Sequence, residues 1–190
     1  MDLTEFSSIL QLFRDVKVIS DDTGQRVVLR ATHADWGMVA IKVANSCNDG
    51  MIERFRREVG VLCQIQSPYY PRQYEFHVTP AKGVCTVEEF VEGESLLACM
   101  DRFADCQSAR ALVLELCQGL SEIWKRNVVH RDIKPGNIII ATGSTPKIID
   151  LGIARFLSET SLTHPAAPHD PCTPNYAAPE QLTNRKIVTM

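Results

Sequence analysis

The sequence lacks any pair of cysteines at Cys-x-x-Cys spacing, although it holds seven, at positions 47, 63, 85, 99, 106, 117 and 172. An odd count without metal-ligand spacing argues against a disulfide framework and against a zinc site. The thiols therefore read as small buried apolar side chains in a reducing compartment. Long apolar runs are missing too, and nothing approaches the roughly 18–20 residues that a membrane helix needs. The first residues, Met1-Asp2-Leu3-Thr4-Glu5, are acidic where a secretory leader is basic. A cytoplasmic protein with no membrane segment in these residues is expected. There is no basic block: Lys+Arg number 20 against 23 Asp+Glu, for a formal charge of −3, which gives nucleic acid no electrostatic footprint. The acidic surplus lies early, with 10 basic and 13 acidic residues up to Gly93 and 10 of each from Glu94 onward. Internal repeats and low-complexity stretches are likewise absent.

What is present fits an ordinary globular chain. Its 190 residues, 45% hydrophobic and 23% charged, suffice for one domain or two small lobes with a real core. Residues 27–31 and 38–43 read as strands around a turn at Trp36-Gly37. In the second strand Val39, Ile41 and Val43 take one face, and Met38, Ala40 and Lys42 the other. A helix is expected from about Asp49 to Gln66, where Ile52, Phe55, Val59, Leu62 and Ile65 recur at spacings of three and four, until Ser67-Pro68 ends it. Residues 73–78 and 84–91 read as further strands, and Glu92-Gly93 breaks the pattern. The second half is helical in texture: from Ser108 to Arg126, an apolar stripe runs through Leu112, Val113, Leu116, Cys117, Leu120, Ile123 and Trp124. Ile138-Ile139-Ile140 and Lys147-Ile148-Ile149, joined through Thr142-Gly143-Ser144, look like a hairpin. Residues 158–175 form a long loop rich in Ser, Thr, Pro and His, the kind that compact domains reserve for function. The order is a strand-rich half with one helix, a hinge near Val91–Glu94, and a helical half.

Chemistry concentrates in His130-Arg131-Asp132-Ile133-Lys134-Pro135-Gly136-Asn137, followed thirteen residues later by Asp150-Leu151-Gly152. This places Asp, Lys, Asn and Asp on two connections that flank one hairpin. Asn137 and Asp150 are hard oxygen donors suited to Mg²⁺. Lys134 is a mobile point charge suited to a phosphate. Asp132 is a carboxylate able to accept a hydroxyl proton. Each residue alone would pass for an ordinary loop residue; the set at fixed spacing does not.

These motifs resemble the catalytic loop and metal motif of Hanks-type (eukaryotic-type) Ser/Thr protein kinases, and the phrasing around Asp150–Arg155 and Ala178–Leu182 is similar to bacterial members. The resemblance implies an α+β, bilobal protein-kinase-like fold: an antiparallel β-sheet N-lobe with one helix, about residues 15–91, and a partial α-helical C-lobe, about 94–190, after an N-terminal extension of residues 1–14. It implies transfer of the γ-phosphoryl group of Mg-ATP to Ser/Thr hydroxyls of a protein substrate. By the same resemblance Asp132 and Lys134 are catalytic, Lys42 of Val39-Ala40-Ile41-Lys42 grips phosphates, and Glu58 is its partner. Glu58 lies beside the apolar stripe of its helix, and such a pair at ~4 Å in an effective dielectric of ~20 is worth about 4 kcal/mol before desolvation. Val28, Ala40, Lys42, Glu89, Val91, Ile139 and Asp150 would line the ATP site, with Mg²⁺ on Asn137 and Asp150. The closing stretch Cys172–Glu180, with its Ala178-Pro179-Glu180, resembles the end of an activation segment. Thr173 would then sit beside Asp132 and Lys134, and Arg131 would pair with a phosphate on Thr160, Ser161 or Thr163.

The sequence departs from the family in three places. The glycine-rich loop is nearly absent: its glycine positions fall on Asp21, Thr23 and Arg26, with only Gly24 nearby. The residue before the hinge, normally apolar or Thr, is Glu88, unless the alignment slips by one and exchanges it with Val87. Leu151 replaces the usual Phe. The chain also ends ten residues after Glu180, so a fragment of a longer protein is expected, lacking C-lobe helices and unstable or inactive alone. A pseudokinase or scaffold is the alternative reading, and a small-molecule phosphotransferase a third.

Overall fold

The computed structural model describes residues 3–22, 26–45, 47–126, 128–130, 132–141, 145–150 and 173–179, without the side chains of Asp22, Arg26, Pro174 and several residues between 50 and 61, Phe55 and Glu58 among them. The chain divides into two compact units, one of residues 1–64 and 72–90, the other of 65–71 and 91–190.

The first unit is built on a five-stranded antiparallel sheet in the order β1-β2-β3-β5-β4. Its strands are β1 (Arg14–Asp22), β2 (Arg26–His33), β3 (Gly37–Ala44), β4 (Gln73–Val78) and β5 (Val84–Glu89). The alternation expected in β3 holds. Val39, Ile41 and Val43 bury one face with Val27, Leu29 and Ala31 of β2 and Cys85 and Val87 of β5. Strand β1 was not anticipated from the sequence. It is an edge strand whose Val16, Val18 and Ile19 stay exposed, and register shifts on either side of Lys17–Val18 break the period-two pattern by which a strand is recognised. Residues ahead of it belong to the same core. Phe6, wholly buried, and Phe13 pack on the sheet, and Glu5 accepts a hydrogen bond of 3.0 Å from the Thr79 hydroxyl. Helix α1 (Ser7–Leu10) lies between those phenylalanines. Helix α2 (Asp49–Leu62) buries Ile52, Val59 and Leu62, and ends four residues before Gln66.

The second unit carries a three-stranded antiparallel sheet, β6 (Gly93–Ser95), β7 (Ile138–Ala141) and β8 (Pro146–Ile148), with helix α3 (Cys106–Trp124). β7 and β8 are the expected hairpin; β6 begins at the expected break of Glu92-Gly93 and carries no apolar signal in its three residues, Gly93, Glu94 and Ser95. Asp105 caps α3, accepting from the amides of Gln107 and Ser108 at 2.9 and 3.0 Å. Its carboxyl pKa is lowered, most by a further hydrogen bond from the Ser108 hydroxyl and then by those amides. The helix is tied down through Gly119: a Cβ there would come 2.8 Å from Tyr69, and the Gly119 carbonyl accepts from the Tyr70 hydroxyl at 2.9 Å. Burial raises the Tyr70 phenol well above its ordinary pKa, and Glu122 adds to this. The apolar stripe of α3 is narrower than expected. Leu112 and Ile123 are buried while Val113, Cys117 and Trp124 are exposed. The cysteines need a matching correction: Cys47, Cys85 and Cys99 are buried, but Cys63, Cys106 and Cys117 are exposed, all six as free thiols. The expected loop at 158–175 lies outside the described residues up to Cys172, and at its end Pro174–Tyr176 form a short 3₁₀ turn.

Candidate active site

In the second unit, Pro135–Asn137 form a short 3₁₀ turn leading directly into β7. Proline fixes the first position of that turn, and the Asn137 amide donates to the Lys134 carbonyl at 2.9 Å. The far end of the hairpin is tied to the same turn, because the Ile149 amide donates to the Asn137 carbonyl at 2.9 Å. Asn137 and Asp150 are thereby brought to the same end of the hairpin.

Asp132 is the centre of the polar network. Its Oδ2 accepts from Asn137 Nδ2 at 2.9 Å and pairs with Lys134 Nζ at 2.9 Å. Its Oδ1 accepts from the Thr173 hydroxyl at 3.1 Å, and the same hydroxyl accepts from Lys134 Nζ at 3.0 Å. Asn137 Nδ2 also donates to the Asp132 backbone carbonyl at 2.8 Å. A carboxylate so held has one oxygen fixed by an amide and an ammonium, and the other facing a hydroxyl at hydrogen-bond distance. That is the geometry a general base requires toward an alcohol.

His130 anchors this network from below. It is 2% exposed. Its Nδ1 accepts from the Asp132 amide at 3.3 Å and its Nε2–H donates to the Ile149 carbonyl at 2.8 Å. Both bonds need the neutral ring with the proton on Nε2. Burial lowers its pKa, outweighing the opposing pull of the Ile149 carbonyl, Asp150 and Asp132. The imidazole thus links the loop before Asp132 to the strand end before Asp150. Asp150 itself is half-buried with φ of +62°, a conformation unusual for a residue with a side chain and concentrated at functional positions.

In the first unit, Lys42 on β3 is 5% exposed and pairs with Glu88 on β5, itself 3% exposed. The second Glu88 oxygen accepts from Gln73 Nε2 at 2.5 Å. The strand register resolves the Glu88/Val87 ambiguity: Val87 points into the apolar core, while Glu88 lies opposite Ala40 on the polar face with Lys42. Val28 is half-buried opposite Lys42 on β2. Glu89 accepts from the Arg72 amide at 3.1 Å at the end of β5. The remaining expected lining residues, half-buried Val91 and Ile139, belong to the second unit. Glu58 sits on α2, but its side chain, like Arg131, Leu151, Glu180 and residues 23–25 of the expected glycine loop, lies outside the described residues. Gln73 was not singled out in the sequence; nothing in its surroundings marks it before the strands are paired.

A sequence profile described as "Protein kinase domain" matches residues 23–190. The chain is a member of the protein kinase family. It is 33% identical over 172 residues to the serine/threonine-protein kinase pkn2 of Myxococcus xanthus, covering 87% of this chain and 19% of that protein. With the serine/threonine-protein kinase PknA of Corynebacterium glutamicum it shares 35% over 158 residues, covering 78% and 33%. The kinase chain therefore spans between about a fifth and a third of the length of these curated relatives. Among solved structures, the kinase domain of PknI from Mycobacterium tuberculosis matches with a TM-score of 0.60 at 21% identity, covering 74% of this chain and 59% of that one. That likeness speaks to the fold: an antiparallel sheet with one helix, and part of a helical lobe. The bacterial, Hanks-type character expected from the motifs agrees with the relatives found. No helix among the described residues is long and apolar enough to cross a membrane.

Proposed function

We propose that this chain carries Mg-ATP-dependent serine/threonine protein kinase chemistry, acting on protein hydroxyls in the cytoplasm. The observation that supports it most is the Asp132 carboxylate, held by Asn137 and Lys134, with a threonine hydroxyl against its other oxygen. In this reading Asp132 orients the acceptor hydroxyl and takes its proton, and Lys134 neutralises charge on the moving phosphoryl group. The Asn137 amide oxygen and the Asp150 carboxylate would hold Mg²⁺. Both are hard donors, and with Nδ2 committed to Asp132 the Asn137 oxygen is the atom left for a cation. Bound there, the ion would supply charge neutralisation for the nucleotide phosphates. Lys42 would steady those phosphates, and Val28, Ala40, Glu89, Val91 and Ile139 would line the nucleotide site.

The test is phosphate transfer from labelled ATP to a generic protein acceptor, with identification of the phosphorylated residue. Asp132→Asn is expected to lower the rate by about 10²–10⁴-fold, the span of a lost general base. Label appearing on tyrosine, or undiminished in the variant, would refute the assignment. A pseudokinase is the second reading. It is favoured by the Glu88 carboxylate on the polar face beside Lys42, and a folded chain that binds Mg-ATP without any transfer would support it.

A further inference from the structure

We propose that Glu88 is the positioning residue for Lys42: a carboxylate on the neighbouring strand, steadied by Gln73, that fixes the ammonium from within the sheet. The proposal rests on the reading of Lys42 as a phosphate-binding lysine.

The register makes the contact. Ala40 stands opposite Glu88 and Lys42 opposite Thr86, so Lys42 and Glu88 are diagonal neighbours on one face, within reach of long side chains. Both side chains are 4% exposed. At that burial an ion pair has little water to compete with it, and removing one partner leaves the other charge less well compensated. Gln73, opposite Glu88 on β4, occupies the second carboxylate oxygen at 2.5 Å, which prevents the carboxylate from turning away from the lysine. An ammonium carries three donors, so pairing with Glu88 is compatible with a phosphate contact. The face also holds polar capacity beyond its own pairing: Gln73 Oε1 and Thr86 Oγ1 are buried without a hydrogen-bond partner among the described residues. Native interiors rarely leave such groups unexplained. Lys42, Glu88 and Gln73 all sit on strands of one sheet, so the lysine is held by its most regular element.

The experiment has two arms on the whole chain. In thermal melts without nucleotide, Lys42→Met and Glu88→Leu are each expected to lower Tm by about 10 °C, and the double variant to recover most of that loss. In direct binding titrations with Mg²⁺ present, Glu88→Gln is expected to weaken ATP about tenfold, the size of an ordinary pairwise coupling, while leaving adenosine, which has no phosphate, unchanged. A merely structural Glu88 would weaken both ligands alike or neither, and either result overturns the proposal. So do additive losses in the double variant. A rise in ATP affinity would mark Glu88 as a competitor for the ammonium and also overturn it. If the unaltered chain binds adenosine but gains nothing from the phosphates of ATP, the phosphate-binding reading of Lys42 fails first, whatever the melts show.

Discussion

Asn137→Asp changes two hydrogen bonds and almost no volume, which makes it a sharp probe of the network around Asp132. Asn137 is 6% exposed, and its Nδ2 donates to the Asp132 carbonyl at 2.8 Å and to Asp132 Oδ2 at 2.9 Å. A neutral hydrogen bond contributes about 1 kcal/mol and one to a charged group about 1.5–3 kcal/mol, so the amide is worth about 2.5–4 kcal/mol here. For a chain of this size that corresponds to a Tm lower by about 10 °C at pH 7.5. The loss should depend on pH in a defined direction. The introduced carboxyl faces Asp132, so its folded-state pKa is raised above the ordinary aspartate value of about 3.9. A raised carboxyl pKa means that the destabilisation is complete above that folded value and shrinks as pH falls through it, because the protonated acid donates where the amide did. Asn137→Ala loses the same bonds but has nothing to protonate, so its deficit should stay constant. The measurement is a set of melts at pH 7.5 and pH 5, each compared with the unaltered chain. Trp124 fluorescence in a Trp36→Phe background would report on the unit that contains the network. A deficit within about 2 °C at pH 7.5, or one that acidification leaves as large as that of Asn137→Ala, would refute the assigned geometry.

Two further outcomes follow from single residues. His130 is held neutral, with its pKa lowered by burial, so the unfolded chain binds a proton that the folded chain does not once pH drops below about 6.5. Stability should therefore fall with acidification below that point, by at most about 1.4 kcal/mol per pH unit from this group. In urea melts between pH 7.5 and 5, His130→Gln should flatten that slope, and an unchanged slope would count against the buried neutral ring. Gly93→Ala should destabilise the second unit. A Cβ there would lie 2.2 Å from the Ile140 carbonyl oxygen and 2.9 Å from the Ala141 Cα, so strand backbone must move at a cost of about 1–3 kcal/mol. Denaturation at an unchanged urea midpoint would show that β6 does not pack against β7 as closely as described.

How much could be read from the sequence depended on what kind of signal each element gives. Strand β3 was legible because burial on one face forces alternation, and Val39, Ile41 and Val43 supply it without interruption. β1 and β6 were not, since an exposed edge strand with register shifts and a three-residue strand need no apolar pattern at all. The end of α2 shows that spacing reports burial before it reports helix. Ile65 is buried at 5% exposure and continues the period of Leu62, yet it lies beyond the helix and belongs to the other unit. On α3 the error ran the other way. Val113, Cys117 and Trp124 sit at helical spacing from buried neighbours, yet they stay exposed, with no described element covering them.

The candidate site divides along the same line between local and long-range information. Asp132, Lys134 and Asn137 fall within six residues, so a single turn fixes their mutual geometry and the motif alone conveys it. Thr173 joins them from 41 residues past Asp132, and it was legible only because the Ala178-Pro179-Glu180 closure placed it by resemblance. The pairing of Lys42 with Glu88 is a different kind of problem. Reading along a helix finds Glu58, sixteen residues on, because helical periodicity is visible in one dimension. Glu88 is 46 residues from Lys42 and becomes its neighbour only through the β3–β5 register, in which a slip of one residue would turn it into the apolar core and put Val87 in its place. The choice of register is settled by Cys85 and Val87, whose burial with Val39, Ile41 and Val43 leaves Thr86 and Glu88 no alternative to the lysine's face. The apolar side of the sheet thus determines which β5 residue meets the ammonium on its polar side, and a substitution such as Val87→Thr, remote from any chemistry, should loosen the same pair.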